Sequence, residues 1–422
     1  MTTTPENIPI IVCIPFVLLL LLIAVMPLAF PKFWERNRNR AIITAVVSLP
    51  ILIFLILNLK HELLLTMRDY ISFIVLLAAL YIISGGILLT GDLRATPAVN
   101  TAFLLTGAVL ANFIGTTGAS MLLIRPLLRT NSERKHTAHL PVFFIFIVSN
   151  IGGALTPLGD PPLFLGYLKG VPFTWTLRLF PVWLFTLILV TAVFFIWDKY
   201  SYRKEKIIDI RRDIARATPL GISGKINILF LLGVVLAVAL QTPAPYRELL
   251  MAAMAVFSLI FSNKKIHRQN HFTFGPIAEV AILFAGIFVT MVPLLILLQM
   301  HGAEFGITRP WQFFWVTGGL SSFLDNAPTY LTFFSLAEGV TKASVIPNMT
   351  VIAGVNADLL RAISCGAVFM GANTYIGNGP NFMVKSIAEE QKVKVPHFFG
   401  FMGYSLLILI PIFVLVTVIF FR

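Results

Sequence analysis

Charged residues are scarce in this chain of 422 residues. They make up 12% of the sequence, while hydrophobic residues make up 57%. Soluble globular domains contain roughly 25% charged residues. The shortage therefore excludes an ordinary soluble enzyme. Many apolar runs approach the roughly 20 residues that cross a bilayer as a helix, so the composition predicts an all-α polytopic membrane protein whose main partner is the lipid bilayer.

Other features are missing as well. The two cysteines, Cys13 and Cys365, both lie in apolar segments, so a disulfide framework is not supported. The ten-residue alternating segments of a membrane β-barrel are absent. No P-loop motif occurs, and the glycine-bearing stretches "GTTGAS" and "GNGPN" follow no predicted strand. We therefore expect neither an enzyme nor a bound cofactor.

Acidic residues are fewer than basic ones, 19 against 32, which gives a net charge of +13. The basic residues cluster in short loops between apolar runs, as the positive-inside rule describes, so nucleic acid is not an expected partner. The first apolar run lacks a preceding basic region and is too long for a signal peptide, which predicts a retained helix. The sequon at Asn348 lacks a glycosylating context and is interpreted as chance.

About ten crossings are predicted. They fall at 8–30, 42–58, 70–90, 140–168, 174–197, 225–241, 246–262, 276–300, 351–390 and 399–421. Two further apolar stretches, 98–127 and 309–337, are each interrupted by a polar turn. Non-helical backbone at membrane depth is tolerated only where it is buried in protein or faces water. We expect both stretches to be re-entrant hairpins.

The distribution of charge supports this topology. With the N-terminus outside and both hairpins re-entrant, 22 of the 32 Lys and Arg residues fall in loops on the inner side. The prediction is a multi-pass protein of the cytoplasmic (inner) membrane with both termini outside. The first hairpin would open on the cytoplasmic face and the second on the outer face.

Two broken helices share a pattern. "ALTPLGDPPLF" (154–164) resembles "ANTYIGNGPNF" (372–382) at an offset of 218, with Asp160 facing Asn378. The hairpin turns correspond more weakly at an offset of 213. Paired breaks in opposite orientation indicate an inverted repeat and a secondary transporter with its site near the midplane. The predicted units are an N-terminal helix (1–41), a first repeat (42–197, hairpin 98–127, broken helix 140–168), a basic cytoplasmic loop (198–225) and a second repeat (226–422, hairpin 309–337, broken helix 351–390).

Polar side chains surround these breaks, where a broken helix also exposes unpaired carbonyl and N–H groups. The candidate cation- and proton-binding residues are Asn112, Thr116, Asn150, Thr156, Asp160, Asp325, Asn326, Thr329, Thr374 and Asn378. Further polar residues at the breaks are Thr117, Ser120, Ser149, Ser321, Ser322, Asn373 and Asn381. Oxygen ligands suit a hard monovalent cation. We therefore hypothesise Na⁺ at Asp160 and Asp325, where a poorly hydrated carboxylate can exchange a proton for a metal ion.

Simpler interpretations stay open for several ionisable residues. Asp325 and Asp160 could merely cap the half-helices that follow them. Glu279 lies near a predicted helix start, which favours an interfacial position. Asp358 and Arg361, three residues apart on one helix, are expected to neutralise each other. The histidines lie in predicted loops or at helix ends, and among them His136 and His139 are candidates for sensing pH.

At four motifs the chain resembles the ion transporter superfamily, and in particular the NhaD-type Na⁺/H⁺ antiporters and the citrate transporter-like proteins grouped with them. The motifs are "NFIGTTGASMLLIRPLLR", "SNIGGALTPLGDPPLF", "FLDNAPTYL" and "GAVFMGANTYIGNGPNFMV". The resemblance covers the chain from about residue 70 onward. It implies a scaffold part and a moving transport part, a homodimer, and sodium sites at the hairpin tips and broken helices. By position it adds Gly115, Gly159 and Gly377 to the candidates above.

The motifs are less informative about the substrate. The dicarboxylate branch carries a Ser-Asn-Thr signature at both hairpin tips, where this chain reads "NFIGTTG" and "LDNAPT". A di- or tricarboxylate site would also benefit from a buried basic residue, and the nearest, Arg125 and Lys385, lie towards helix ends. The sequence therefore predicts a secondary active transporter that exchanges Na⁺ and H⁺ by alternating access. A citrate or dicarboxylate symporter and an arsenite-type anion exporter are the alternatives.

Overall fold

The computed structural model describes residues 8–344 and 349–422, so Asn348 lies outside the described residues. Helices make up most of the described chain. The α-helices are Ile14–Ala29, Pro31–Trp34, Asn37–Asn58, Lys60–Gly85, Pro97–Thr130, His139–Ile147, Pro161–Leu168, Phe180–Arg203, Ile207–Arg216, Ile226–Ala239, Tyr246–Phe261, Lys264–Gln269, Gly275–His301, Pro310–Ser321, Asn326–Ala343, Ala357–Met370, Gly379–Glu390, Phe398–Tyr404 and Ile410–Phe420.

Seven helical segments of the described chain are long and apolar enough to cross a membrane. They are Ile10–Pro27, Asn37–Asn58, Lys60–Gly85, Pro97–Thr130, Phe173–Arg203, Gly275–Phe305 and Phe398–Phe420. The predicted class, an all-α polytopic membrane protein, is confirmed. The predicted crossings at 225–241 and 246–262 are helices of 14 and 16 residues, slightly shorter than the roughly 17–25 residues of a typical spanning helix.

The segment Pro97–Thr130 is long enough to cross a bilayer but folds back on itself; it is the first hairpin below. The reversal is at Gly115, whose φ of 73° is a conformation that favours glycine. Leu123 packs against Gly107, and Asn100 Nδ2 donates to Asn131 Oδ1 over 2.9 Å. In a straight helix the two asparagines would be roughly 45 Å apart. Both ends of the hairpin therefore lie at one end of the bundle.

The second hairpin consists of Pro310–Ser321 and Asn326–Ala343, joined by residues 322–325. The open end of this hairpin, away from the turn at 322–325, contacts the C-terminal end of the helix Gly275–His301. There Gln299 Nε2 donates to Glu338 Oε2 over 2.9 Å. The residues just before that helix lie at its other end, where Tyr81 Oη donates to Thr273 O over 3.1 Å.

The first hairpin opens at this Thr273 end. Its Arg129 Nε donates over 3.1 Å to the Gly91 carbonyl, on the strand that follows the helix of Tyr81. The helix Gly275–His301 has 27 residues and a length of roughly 40 Å, so it separates the two ends of the bundle. The two hairpins consequently open at opposite ends.

Two short antiparallel ribbons were not predicted. Leu88–Asp92 pairs with Thr218–Ser223, and Val351–Ile352 pairs with Val355–Asn356. The predicted crossing at 70–90 therefore ends as a helix at Gly85, and the predicted broken helix at 351–390 begins only at Ala357. The loop predicted at 198–225 likewise contains the end of the helix Phe180–Arg203, the helix Ile207–Arg216 and one of these strands.

The broken helices occupy the centre of the bundle. We call His139–Leu168 the first broken helix and Ala357–Glu390 the second. Every residue of the helical part His139–Ile147 is buried, and so are most residues of Ala357–Met370. The helix Asn37–Asn58, in contrast, buries few of its residues. The interruptions therefore lie inside protein, as non-helical backbone at membrane depth requires.

Candidate functional site

The first broken helix is interrupted between Ile147 and Pro161. A 3₁₀ turn covers Ile151–Leu155, and the chain is extended at Thr156 and again at Asp160. The next helix starts with two prolines, whose fixed φ suits the first helical positions and whose missing N–H groups would be unpaired there anyway. The proline pair thus restarts the helix directly after Asp160 and leaves this carboxylate at its N-cap position.

The second broken helix repeats this backbone closely. Thr374 has φ and ψ of −137° and 162°, against −139° and 155° at Thr156. Asn378 has −153° and 144°, against −135° and 143° at Asp160. A Cβ on Gly159 would lie 2.1 Å from the Gly153 carbonyl oxygen. A Cβ on Gly377 would lie 2.7 Å from the Gly371 carbonyl oxygen. The offset of 218 therefore relates two breaks of similar geometry.

Contacts to the hairpins give a different offset from the predicted one. Thr156 Oγ1 donates to the Asn112 carbonyl, and Thr374 Oγ1 donates to the Ser322 carbonyl, each over 2.5 Å. Asn112 and Ser322 are 210 positions apart. The predicted offset of 213, which paired Asn112 with Asp325 and Thr116 with Thr329, is therefore wrong by three residues. The same offset of 210 relates Thr116 to Asn326, and both of these residues donate to Asp160.

Asp160 is the point at which four broken or re-entrant elements meet. Its Oδ1 accepts hydrogen bonds from Thr116 Oγ1 over 2.8 Å and from Asn378 Nδ2 over 3.2 Å. Its Oδ2 accepts one from Asn326 Nδ2. The carboxylate belongs to the first broken helix, and its donors come from both hairpins and from the second broken helix. Asp160 is 1% exposed, and all three donors are neutral.

Asn150 and Asn381 connect the two broken helices next to the group of residues around Asp160. Asn150 Nδ2 donates to Asn381 Oδ1 over 2.7 Å, and Asn378 Nδ2 lies 3.3 Å from Asn150 Oδ1. Asn381 Nδ2 in turn donates to the carbonyls of Gly371 and Thr374 over 2.9 and 3.0 Å. These amides bind the unpaired carbonyls that a broken helix exposes. They hold the two interruptions at a fixed separation.

Asn112 and the two threonines fasten the hairpins to the breaks. Asn112 Nδ2 donates to the Gly152 carbonyl over 2.7 Å, and its Oδ1 accepts from the Leu155 N–H over 2.8 Å. Thr156 and Thr374 use their hydroxyl protons on hairpin carbonyls, as described above. These predicted site residues are therefore committed to backbone groups, and they fix the shape of the site.

Asp325 and Thr329 form their hydrogen bonds within their own hairpin, although Asp325 is close enough to Asp160 for the two negative charges to repel each other. Asp325 Oδ1 accepts from the Ala327 N–H over 3.0 Å and so caps the helix Asn326–Ala343, while Thr329 Oγ1 donates to the Asp325 carbonyl over 2.9 Å. The capping interpretation of Asp325 matches this geometry. Among the described residues, neither side chain hydrogen-bonds to Asp160. The neighbouring Asn326 is the residue of this hairpin that does.

One polar atom beside Asp160 has no partner in the described structure. Asn326 is fully buried, and its Oδ1 makes no hydrogen bond although its Nδ2 is bonded to the carboxylate. An unpaired buried carbonyl oxygen costs about 1–3 kcal/mol. The amide oxygen is therefore available to a proton or a cation bound at Asp160.

A small cavity of about 60 Å³ reaches this group. The tip of the first hairpin, the residues around Asp160, and the helices Lys60–Gly85 and Gly275–His301 form its walls. Asp160 is the one charged residue among the described residues that line it. Pockets for organic ligands usually measure about 300–1,000 Å³. The cavity in this conformation has room for an ion and a few waters.

The other acids singled out in the sequence are paired with bases. Glu279 lies 3.0 Å from Arg40, and Asp358 lies 3.6 Å from Arg361, as expected for the latter pair. Neither acid reaches Asp160. Glu248, which no sequence motif singled out, is buried beside Arg247 and accepts from Ser72 Oγ over 2.6 Å.

A second buried acid, Asp198, was also missed. It accepts from Arg134 Nη2 over 2.6 Å and from Asn100 Nδ2 over 2.9 Å, and it lies 2.9 Å from His139 Nε2. His139 lies at a helix end, as expected, because it is the first residue of the helix His139–Ile147, and it is buried at the base of the first hairpin. The apolar run that ends at Asp198 offers a weak signal, but the partners lie 59 to 98 residues away in the sequence.

A polytopic helical bundle with two broken helices that meet at a buried carboxylate is the architecture of a secondary transporter. The comparison with known families agrees. Residues 5–421 match the family described as "Putative citrate transport". The chain belongs to this family of citrate transporter-like proteins, and the resemblance seen in the motifs is confirmed. No curated protein matches the chain.

Proposed function

We propose that this transporter is a proton-coupled cation antiporter that exchanges Na⁺ for H⁺. The observation that carries the proposal is the charge environment of Asp160. This carboxylate is 1% exposed, and its three hydrogen-bond donors, Thr116, Asn326 and Asn378, are all neutral. No basic side chain among the described residues lines the adjoining cavity.

A buried carboxylate without a positive partner is strongly disfavoured as a bare anion. A proton or a metal cation must therefore balance its charge. Both would bind to the same two oxygens, so their binding is mutually exclusive. Competition of this kind gives exchange if the site changes sides only when one of the two ions neutralises the carboxylate, because the empty carrier then cannot return alone.

The amide of Asn326 fits both states. Its nitrogen and oxygen are assigned from the hydrogen-bond network, and a half-turn of the amide exchanges their positions. After such a turn, Oδ1 would accept the proton of a protonated Asp160. In the ion-bound state the same Oδ1 would be a ligand of the cation. Either state gives a partner to the atom that lacks one.

The ligand chemistry favours a hard cation, the class to which Na⁺ belongs. Asp160 Oδ1 and Oδ2, Thr116 Oγ1 and Asn326 Oδ1 are all oxygens within one group of bonded side chains. Carboxylate, hydroxyl and amide oxygens suit hard cations. The cavity of about 60 Å³ matches a small ion with some of its water.

Alternating access would follow from the arrangement of the hairpins. The first opens at one end of the bundle and the second at the other, and each donates one hydrogen bond to Asp160. We interpret the two halves as an inverted repeat in which one hairpin at a time releases the carboxylate. The homodimer, the inner-membrane location and the outer position of both termini are further expectations of this proposal.

A citrate or dicarboxylate symporter is the second candidate, because the family of the chain is described by citrate transport. In that case Asp160 would bind the coupling cation and the organic anion would bind beside it. A tricarboxylate needs basic partners and a pocket of several hundred Å³. The cavity at Asp160 offers neither in this conformation, which favours the cation antiporter.

Proteoliposomes with an internal pH-sensitive dye test the proposal. A proton gradient is formed, and Na⁺, Li⁺, K⁺ or citrate is then added in turn. The antiporter predicts a change in internal pH on addition of Na⁺ or Li⁺ without citrate, and none with the variant Asp160→Asn. The matched control is Asp358→Asn, which removes an acid that is paired at the periphery. A response that requires citrate would overturn the antiporter in favour of the symporter.

A further inference from the structure

A second cavity, far larger than the one at Asp160, opens at the end of the bundle that contains the base of the first hairpin. Its volume is about 840 Å³. Its walls are the base of the first hairpin and the link to the first broken helix (125–139), the end of the helix Phe180–Arg203, and the segment 391–394 that follows the second broken helix. This volume lies in the usual range of small-molecule sites.

The lining of this cavity is strongly basic. Arg125, Arg129, Arg134, Lys135, Lys392 and Lys394 line it together with His136 and His139. None of the described lining residues is Asp or Glu. A concave surface with charges of one sign concentrates ions of the opposite sign.

Some of these cations already have partners behind the wall. Arg134 is bonded to Asp198 and lies 3.8 Å from Glu205. Arg125 lies 3.9 Å from Glu390, and Lys135 lies 3.9 Å from Asp209. Arg129 donates to two backbone carbonyls and forms no ion pair with a described residue. Lys392 and Lys394 likewise form no ion pair with any described residue. The cavity therefore retains positive charge that the described protein does not neutralise.

Lys392 adds a conformational observation. Its φ is 59°, in the left-handed region where glycine and asparagine are favoured over other residues. Lys392 lies in the turn that ends the helix Gly379–Glu390. After this turn, the segment 391–394 forms one wall of the cavity, and the base of the first hairpin forms another. A lysine in this conformation keeps a positive charge at the cavity, where a glycine would satisfy the backbone more easily.

We propose that this cavity is a binding site for a small anion with two or more negative charges, of the carboxylate or phosphate class. Neutral donors supplement the cations, since Asn131, Ser132 and Gln391 also line the wall. The anion would bridge the base of the first hairpin and the segment after the second broken helix. The source is either a soluble metabolite or a lipid headgroup, because basic pockets between membrane helices also bind anionic headgroups.

The test uses the full-length protein in nanodiscs of neutral lipid, with citrate, pyrophosphate and monovalent acetate as calorimetric probes. We expect citrate or pyrophosphate to bind at least tenfold more tightly than acetate, and the affinity to fall with salt. The double variant Lys392→Asn/Lys394→Gln should lose at least tenfold in affinity. Asparagine is chosen at 392 because it tolerates a positive φ.

Two controls separate the cavity from other effects. Lys264→Gln/Lys265→Gln removes the same charge from an exposed helix outside the cavity and should bind the probes as the wild type does. Asp160→Asn should also retain binding, because it alters the transport site alone. A repeat in nanodiscs with anionic lipid identifies the source, since a headgroup in the cavity would weaken the binding of the soluble probes.

The proposal is overturned if two results occur together. Neither multivalent probe binds in neutral nanodiscs, and the wild type enriches anionic lipid no more than the Lys392→Asn/Lys394→Gln variant does. It is also overturned if the probes bind equally well to that variant, or if binding is lost in Asp160→Asn alone. The thermal unfolding midpoint of each variant should equal that of the wild type, which excludes misfolding as the cause.

Discussion

The two broken helices have nearly the same backbone and different charge. Thr156 and Thr374 differ by 2° in φ, and each donates to a hairpin carbonyl over 2.5 Å. At the next extended position, however, the first has Asp160 and the second has Asn378. The asparagine donates to the aspartate. The comparison shows that one backbone geometry, used twice, supplies the carboxylate from one copy and a neutral donor from the other.

The largest expected effect comes from removing the charge of the first copy. Asp160→Asn should reduce Na⁺-dependent proton movement to the rate of protein-free liposomes, because it removes the carboxylate on which both hairpins and both broken helices converge. The measurement is the internal pH of proteoliposomes. Activity that persists near the wild-type level would show that the charge difference between the two copies has no role in exchange.

A smaller effect is expected when the two residues are exchanged. Asp160→Asn/Asn378→Asp keeps one carboxylate and one amide side by side, since the two side chains are within hydrogen-bonding distance. Proton movement in the same assay should recover to a level between that of Asp160→Asn and that of the wild type. Recovery would show that transport needs one carboxylate at either position of the pair. A double variant as inactive as the single one would show that the carboxylate must be at position 160.

The glycines of the two breaks should differ in their sensitivity to an added methyl group. Gly159→Ala brings Cβ to 2.1 Å from a backbone oxygen, and Gly377→Ala brings it to 2.7 Å. Overpacking of this kind typically costs about 1–3 kcal/mol. The thermal unfolding midpoint in detergent should fall for both variants and fall further for Gly159→Ala. Gly379→Ala, which meets nothing within 4 Å, is the control and should leave the midpoint unchanged.

Asp325 tests whether only one of the two acids at the breaks takes part in transport. As a helix cap it should tolerate Asp325→Asn with little change in stability, whereas Asp325→Ala should cost about 1 kcal/mol. Transport by Asp325→Asn should stay well above that of Asp160→Asn. A loss as complete as that of Asp160→Asn would instead give Asp325 the ion-binding role that the sequence suggested.

The smallest effect is expected at Asp358. Its pair with Arg361 spans 3.6 Å on a side chain that is 68% exposed. Surface pairs of this kind contribute about 0–1 kcal/mol. Asp358→Asn should therefore shift neither the unfolding midpoint nor the transport rate measurably.

The positions of the interruptions could be predicted from sequence because their causes are local. A proline pair after Asp160 and a glycine at 115 act on their own stretch of backbone. The hairpins and both broken helices were therefore expected close to where they occur. The short ribbons were not, because an apolar run such as "ILLT" continues a helix equally well until Gly85 and a distant strand decide the outcome.

The partners of each side chain could not be predicted. Asn326 and Asp160 are 166 positions apart, and the similarity of the two motifs paired Asn378 with Asp160 without indicating that the two touch. Two isolated acids at two breaks appeared equally suited to an ion. Only the packing of four elements distinguishes Asp160, which is surrounded by neutral donors, from Asp325, which caps a helix.

The hydrogen bonds from both hairpins to Asp160 also bear on how the protein would prevent ions from leaking across the membrane. A membrane that stores an ion gradient cannot tolerate a continuous water path, and a carrier that opened to both compartments together would discharge that gradient. Thr116 reaches the carboxylate from one end of the bundle and Asn326 from the other. In the proposed mechanism, each of these two bonds would close the path of the ion on one side of Asp160. Tightness in this transporter would thus depend on the two hydrogen bonds never breaking at the same time.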